Sequence, residues 1–209
     1  MLRVGLTGGL ACGKSVVAKM FSDLGARIIY ADQIAHELYK SGQPVHQELV
    51  KRFGAEIVNA EGEIDRARLA AIVFGDGRVQ ELNKIVHPAV VKRQEQLMHE
   101  IGGREPNAVI MVEAALIFEA GVKDRFAKMV VVTCRPEQKV QRYAERAGRD
   151  QAAASAEVAR RSQAQLPDEE KIRRADYVID NSGSLERTRQ QVERIYAELK
   201  VMAIGKTSL

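Results

Sequence analysis

The sequence is poor in several features, and each shortage removes a class of function. No apolar run approaches the roughly 20 residues that a membrane-crossing helix needs, so no membrane partner is expected. Only two cysteines occur, Cys12 and Cys134, and they form no metal-ligand spacing; a reducing compartment suits them. His36, His46 and His99 show no ligand spacing either. Aromatic residues make up 5% of the chain, and none gathers beside the arginines to form a surface on which bases could stack. Internal repeats and low-complexity linkers are absent, which argues against an array or a string of separate domains. The chain opens on a strand-like run and a polar glycine-rich loop, unlike a secretory signal, so a cytoplasmic protein is expected. The excess of positive charge is small, +4 in 209 residues, and suits an anionic small substrate at least as well as nucleic acid.

What the sequence does contain is concentrated near its start. Leu2-Arg3-Val4-Gly5-Leu6 reads as a strand and leads into Gly8-Gly9-Leu10-Ala11-Cys12-Gly13-Lys14-Ser15. A helix follows from Lys14 to Leu24, with Val16, Val17, Met20, Phe21 and Leu24 at helical spacing and Gly25 behind them. G-x-x-x-x-G-K-[ST] between a strand and a helix is a phosphate-binding loop. Gly8 and Gly13 let successive amides turn inward around phosphate oxygens, and the helix start adds its positive end. Lys14 would reach the β- and γ-phosphates of a nucleoside triphosphate, and the Ser15 hydroxyl would hold Mg²⁺.

Further along, Arg27–Tyr30 reads as a second strand and ends at Ala31-Asp32. Asp32 stands at a strand's carboxyl end, where parallel α/β sheets gather ligands; it also suits the N-cap of a helix from Gln33 to Tyr39. Residues 41–107 interrupt the alternation of strand and helix. Short helices are expected at Val45–Phe53 and Arg66–Phe74, the second capped by Asp65, then a long one over Arg78–Ile101 that Pro88 should break or kink after His87. This reads as a helical lobe inserted in the sheet, and His87 has either a substrate contact or a structural role. Buried strands return at Ala108–Val112 and Met129–Thr133. Glu113, closing the first of these, could steady Mg²⁺ or simply end the strand. Pro136 starts a helix that Gly148 ends. Residues 142–174 hold Arg142, Arg146, Arg149, Arg160, Arg161, Arg173 and Arg174, and Arg142 to Lys171 has no strong apolar stripe, which suggests a mobile segment that closes over bound ATP. A fifth strand at Tyr177–Ile179, the turn Asp180-Asn181-Ser182-Gly183 and a helix capped by Ser184 complete the chain.

The ordered set of residues is similar to the dephospho-CoA kinase family over nearly the whole length. The matches are Gly5-Leu6-Thr7-Gly8-Gly9 with Gly13-Lys14-Ser15, Asp32, Phe53-Gly54, Arg66, Leu69, Phe74, Leu82-Asn83 and His87-Pro88. They continue through Leu116-Ile117-Phe118-Glu119, Arg142, Arg146, Gln165, Ala175-Asp176 and Ile179-Asp180-Asn181. The resemblance implies an α/β P-loop kinase fold in three layers: a five-stranded parallel sheet, an inserted helical substrate lobe and a helical lid. One domain would span 1–209, with the core at about 1–30, 108–141 and 175–209, the lobe at about 31–107 and the lid at about 142–174. It implies transfer of phosphate from ATP, with Mg²⁺, to the ribose 3′-hydroxyl of dephospho-CoA, the last step of coenzyme A synthesis. Asp32 would be the general base, with Lys14 and Arg142 also catalytic; Asp32, His87 and Glu113 would meet the substrate. ATP would be held by Gly8, Gly9, Ala11, Cys12, Gly13, Lys14, Ser15, Val16, Arg146 and Asn181, and Ser15 would hold the metal. A monomer without nucleic-acid partner is expected. Ala11-Cys12 departs from a common Gly-Ser pair, and Glu113-Ala114-Ala115 from Asp-Val-Pro. A different kinase on the same fold remains the nearest alternative. A GTPase lacks support, since Asn83-Lys84 continues as Ile85-Val86 and not as the guanine-reading Asn-Lys-x-Asp.

Overall fold

A computed structural model describes residues 1–163 and 165–205. The chain forms two compact units, one of Met1–Ile29 with Glu100–Leu209 and one of Tyr30–His99. The first unit is built on strands that are apolar almost without interruption, as strands covered on both faces must be. In β4 (Lys128–Thr133), Met129 to Val132 are all buried; in β3 (Val109–Glu113), only Glu113 at the end is not. With β1 (Leu2–Gly8), β2 (Arg27–Tyr30) and β5 (Tyr177–Asp180) they form a five-stranded sheet in the order β2-β3-β1-β4-β5. β1 runs parallel to both β3 and β4, with Leu6 level with Glu113 on one side and Val130 on the other. The chain therefore leaves β1 at the centre of the sheet, between strands wound outward in opposite directions. That is the switch point where such sheets bind ligands.

Two helices cover this centre. α1 (Lys14–Asp23) packs against β1, β3 and α9 (Leu185–Gly205). The apolar stripe of α9, Val192, Ile195, Leu199 and Ala203, is buried at helical spacing, and each of the larger side chains contributes about 1.5–3 kcal/mol by leaving water. Ser184 caps α9 as its sequence suggests, accepting from the Arg187 amide at 3.3 Å.

The segment expected to form a lid carries a small core of its own. α6 (Pro136–Ala147) and α7 (Gln151–Gln163) bury Tyr143, Ala154 and Val158 together, with Leu10 and Ala11 of the glycine-rich loop against them. Small residues did this: Ala154 brings the helix backbones close, so no long apolar stripe was needed. The arginines here are largely neutralised within their own helices. Arg160 and Arg161 both donate to Glu157, holding its carboxyl down at about 2, and Arg173 and Arg174 pair with Glu170 of α8 (Asp168–Arg173). A self-paired face of this kind is solvated structure and makes a poor nucleic-acid groove.

The second unit is helical: α2 (Ala31–Leu38), α3 (Pro44–Phe53), α4 (Arg66–Gly75) and most of α5 (Val79–Arg104). Asp65 caps α4, accepting from the amides of Ala67 and Arg68. The Arg78 guanidinium lies 4.6 Å over the Phe53 ring and pairs with Glu81, which also pairs with Arg52. Two sequence expectations are corrected in this unit. α5 is not broken at Pro88 and continues as one helix; a proline removes one helical N–H, and a helix of 26 residues has enough other bonds to continue. α2 begins at Ala31 and not at Gln33, so Asp32 is inside the first turn and the N-cap position belongs to Tyr30, whose side chain makes no capping bond.

Candidate active site

The loop leaving β1 is shaped by backbone that only certain residues adopt. Gly13 has φ +92, in the left-handed region, and a Cβ there would strike the Asn181 amide nitrogen. Ala11 also lies in that region, at φ 55, and is the one non-glycine residue to do so among the described residues. Its tight turn is held by the Cys12 amide donating to the Gly9 carbonyl at 3.4 Å. α1 then starts at Lys14 with no side-chain cap, which leaves the amides of its first turn for a bound anion.

Lys14 curls back over this cradle. Its ammonium donates to the carbonyls of Gly8 and Gly9, both at 3.1 Å. An ammonium has three N–H groups, so one is left for an incoming oxygen. Ser15 is exposed at the second position of α1, with Val16 exposed beside it.

Residues distant in sequence support the loop from behind. The Asn181 side-chain amide donates through Nδ2 to the Cys12 carbonyl at 2.9 Å, and the Thr188 hydroxyl donates to Asn181 Oδ1 at 2.9 Å. Both Asn181 and Thr188 are buried, so this chain of bonds is sheltered from water and fixes the Asn181 orientation. Arg142 donates to the Asn181 backbone carbonyl at 2.9 Å and to the Cys12 carbonyl at 3.5 Å. The Cys12 side chain has no exposure, and burial raises its thiol pKa against the opposing charges of Lys14 and Lys139. It is a neutral filler, and the loop uses its carbonyl. Arg146 is exposed, with its guanidinium 5.6 Å from the Tyr143 ring centre. Glu113 ends β3 level with Leu6, and the chain after it is tied to β1 by Ala114 donating to the Leu6 carbonyl and Thr7 donating to that of Ala115.

The sequence reading found the loop, Arg142 and Asn181, but missed a second set of charges around them. Lys139, one turn before Arg142 on α6, forms an ion pair with Asp168 at the start of α8. Lys171 is completely buried, 3.0 Å from Glu119 Oε1 and 3.2 Å from Gln165 Oε1. The same Glu119 oxygen accepts from the Leu166 amide at 2.9 Å, so the loop after β3 and the start of α8 are fastened together. A lysine and a carboxylate 52 residues apart carry no sequence signal of pairing.

Asp32 and His87 belong to the helical unit. Asp32 is exposed, and its charge and that of Arg66 both reach the Tyr39 hydroxyl, whose pKa is raised chiefly by burial. His87 is half-buried, and burial lowers its pKa, favouring the neutral imidazole. Among the described residues no group of three or more His, Cys, Asp or Glu could hold a metal by itself, and no helix is long and apolar enough to cross a membrane.

A family model described as dephospho-CoA kinase matches residues 2–187. A dephospho-CoA kinase from Aquifex aeolicus is 41% identical over 200 residues, covering 95% of this chain and 98% of that protein. The fold superposes on the crystal structure of TT1252 from Thermus thermophilus with a TM-score of 0.77 at 33% identity, covering 95% of this chain and 97% of the other. Dephospho-CoA kinase from Campylobacter jejuni superposes with a TM-score of 0.68 at 26% identity, covering 95% and 96%.

Proposed function

The chain belongs to the dephospho-CoA kinase family, and from that membership we propose that it transfers the γ-phosphoryl group of ATP to the ribose 3′-hydroxyl of dephospho-CoA, giving coenzyme A and ADP. The observation that carries the phosphoryl-transfer part is the loop of Gly8 to Ser15 at the centre of the sheet, with the Lys14 ammonium turned over it and one donor left. Lys14 places a point charge between the β- and γ-phosphates, where negative charge shifts during transfer. The loop's other amides, apart from that of Cys12, and those at the start of α1 bind the other phosphate oxygens.

Asp32 is the general base in this reading. An exposed carboxylate can orient the acceptor's hydroxyl and accept its proton as the phosphoryl group arrives. His87, favoured in its neutral form, supplies a hydrogen bond to the acceptor and no charge, and Glu113, the last residue of β3, is assigned to the same substrate. Arg142 and Arg146 serve the phosphates from α6: planar guanidinium groups match phosphate oxygens two at a time. Asn181 holds Cys12 in place under the nucleotide.

Ser15 is the residue that would hold Mg²⁺, with the triphosphate oxygens as its main ligands. The Ser15 hydroxyl is exposed at the second position of α1, and an oxygen donor of this kind suits a hard cation. Held there, the ion would supply positive charge to offset that of the phosphates. The reaction is assigned to the cytoplasm and to a monomer. The test is ADP release from ATP with dephospho-CoA, run beside shikimate and nucleoside acceptors. Turnover with dephospho-CoA at least about a hundredfold above the others is expected from differential binding of the correct acceptor. Equal or better turnover with another acceptor would refute the assignment.

A further inference from the structure

The Lys139–Asp168 pair does not lie at the periphery of the site; it sits on the glycine-rich loop itself. Gly9 is buried, and a Cβ built on it would lie 2.8 Å from Lys139 Nζ and 2.9 Å from Asp168 Oδ1. Both ends of the pair therefore touch the same residue of the loop, the one whose carbonyl accepts from Lys14. Lys139 is nine-tenths buried, and its charge, with those of Lys14 and Asp168, reaches the Cys12 thiol inside the loop. α6 thus presents two cations to the loop at i and i+3, Lys139 toward Gly9 and Arg142 toward Cys12. Lys14 makes a third. The carboxylate of Asp168 is the anion set among them. A carboxylate beside a phosphate-binding loop is costly once a triphosphate arrives, because like charges then share one small site. It is favourable before that, because a buried ammonium without a partner is costly too.

We propose that Asp168 stands in for phosphate: it holds Lys139 over Gly9 in the empty site and competes with the triphosphate of ATP for that ammonium. Lys139 is then a phosphate-binding residue held in reserve, and Asp168 sets the affinity of the loop for phosphorylated ligands. Binding exchanges one anionic partner of Lys139 for another and displaces the start of α8 from the loop. This rests on the reading of Gly8–Ser15 as the ATP cradle.

The test is calorimetric titration of the full-length protein with ATP, ADP and adenosine, for wild type, Asp168→Asn, Asp168→Glu and Lys139→Met, each beside a melting curve. Asp168→Asn keeps the shape and removes the charge, so it should tighten ATP by about fivefold, the scale of one partly solvated charge contact. The gain should shrink for ADP and vanish for adenosine, which has no phosphate to compete. Asp168→Glu should bind ATP as wild type does. Lys139→Met should weaken ATP by about tenfold, the scale of a lost hydrogen bond to a charged group. Asp168→Asn that binds ATP no more tightly than wild type overturns the proposal. So does a gain that extends to adenosine, or a fall in melting temperature without a gain in affinity, since each assigns the pair a purely structural role. A wild-type protein that binds adenosine but no better with phosphates attached would instead overturn the cradle reading.

Discussion

Replacing Asp32 by asparagine separates the chemistry of this residue from its place in the fold. Had Asp32 been the N-cap of α2, asparagine would have replaced it with almost no loss, since the two cap about equally well. The helix begins at Ala31, and Tyr30 occupies the cap position at φ −93, ψ 111 without a side-chain bond. Asp32 lies in the first turn, exposed, and its contribution to stability is the attraction of a carboxylate for the positive end of the helix. At a solvated site this is about 0.5 kcal/mol. In a chain of 209 residues that corresponds to about 1–2 °C of melting temperature. Loss of a general base lowers turnover by about 10²- to 10⁴-fold, or about 3–5 kcal/mol of barrier. The catalytic effect should thus exceed the stability effect several-fold in free energy. The measurement is kcat with dephospho-CoA, ATP affinity and a melting curve for both proteins. Affinity for ATP should hold, because the proposed contact is to the acceptor. Asp32→Asn with more than about a tenth of wild-type turnover would refute the base assignment.

Lys14→Ala should melt close to wild type, because Lys14 is itself partly exposed and its ammonium bonds to backbone carbonyls of the loop, and lose at least about a hundredfold in kcat; near-normal turnover would remove the loop from the mechanism. Lys171→Met leaves Glu119 largely buried with only the Leu166 amide, and should cost about 3–5 kcal/mol, or roughly 10 °C in melting temperature, whereas Lys171→Met with Glu119→Leu should recover most of it. If the double variant is no better than the single, the loss is one of packing and not of an unpaired charge. His87 is a base whose folded pKa is depressed by burial, so the unfolded chain binds the proton more readily. Its contribution is present above about pH 6.5, the ordinary histidine value, and is lost as pH falls through the lowered value; His87→Asn should flatten that part of a melting-temperature profile. An unchanged slope in the variant would show that other groups carry the acid sensitivity.

Contiguous chemistry determined much of this protein from sequence alone. The phosphate loop is eight consecutive residues whose spacing states its geometry, and the strands beside it are short apolar runs bounded by turns. Asp65 and Ser184 were legible as caps because a cap bonds to amides two or three residues away. The tertiary structure decided what depends on distance across the chain. The order β2-β3-β1-β4-β5 places the loop at the centre of the sheet. Asn181 lies 169 residues beyond Cys12, and Lys139 meets Asp168 over Gly9, pairings that no local pattern encodes. The packing of α7 was hidden for a related reason: two small residues and one tyrosine make a buried cluster without an apolar stripe. The start of α2 was misplaced by two residues, because Ala31 and Asp32 suit both a helical first turn and the end of a strand. Sequence fixes what neighbouring residues can do for one another. Which distant charges share a dry site depends on how the strands pair and where the helices cross, and there the energy of a buried ammonium or carboxylate is set by whichever partner the fold brings within reach.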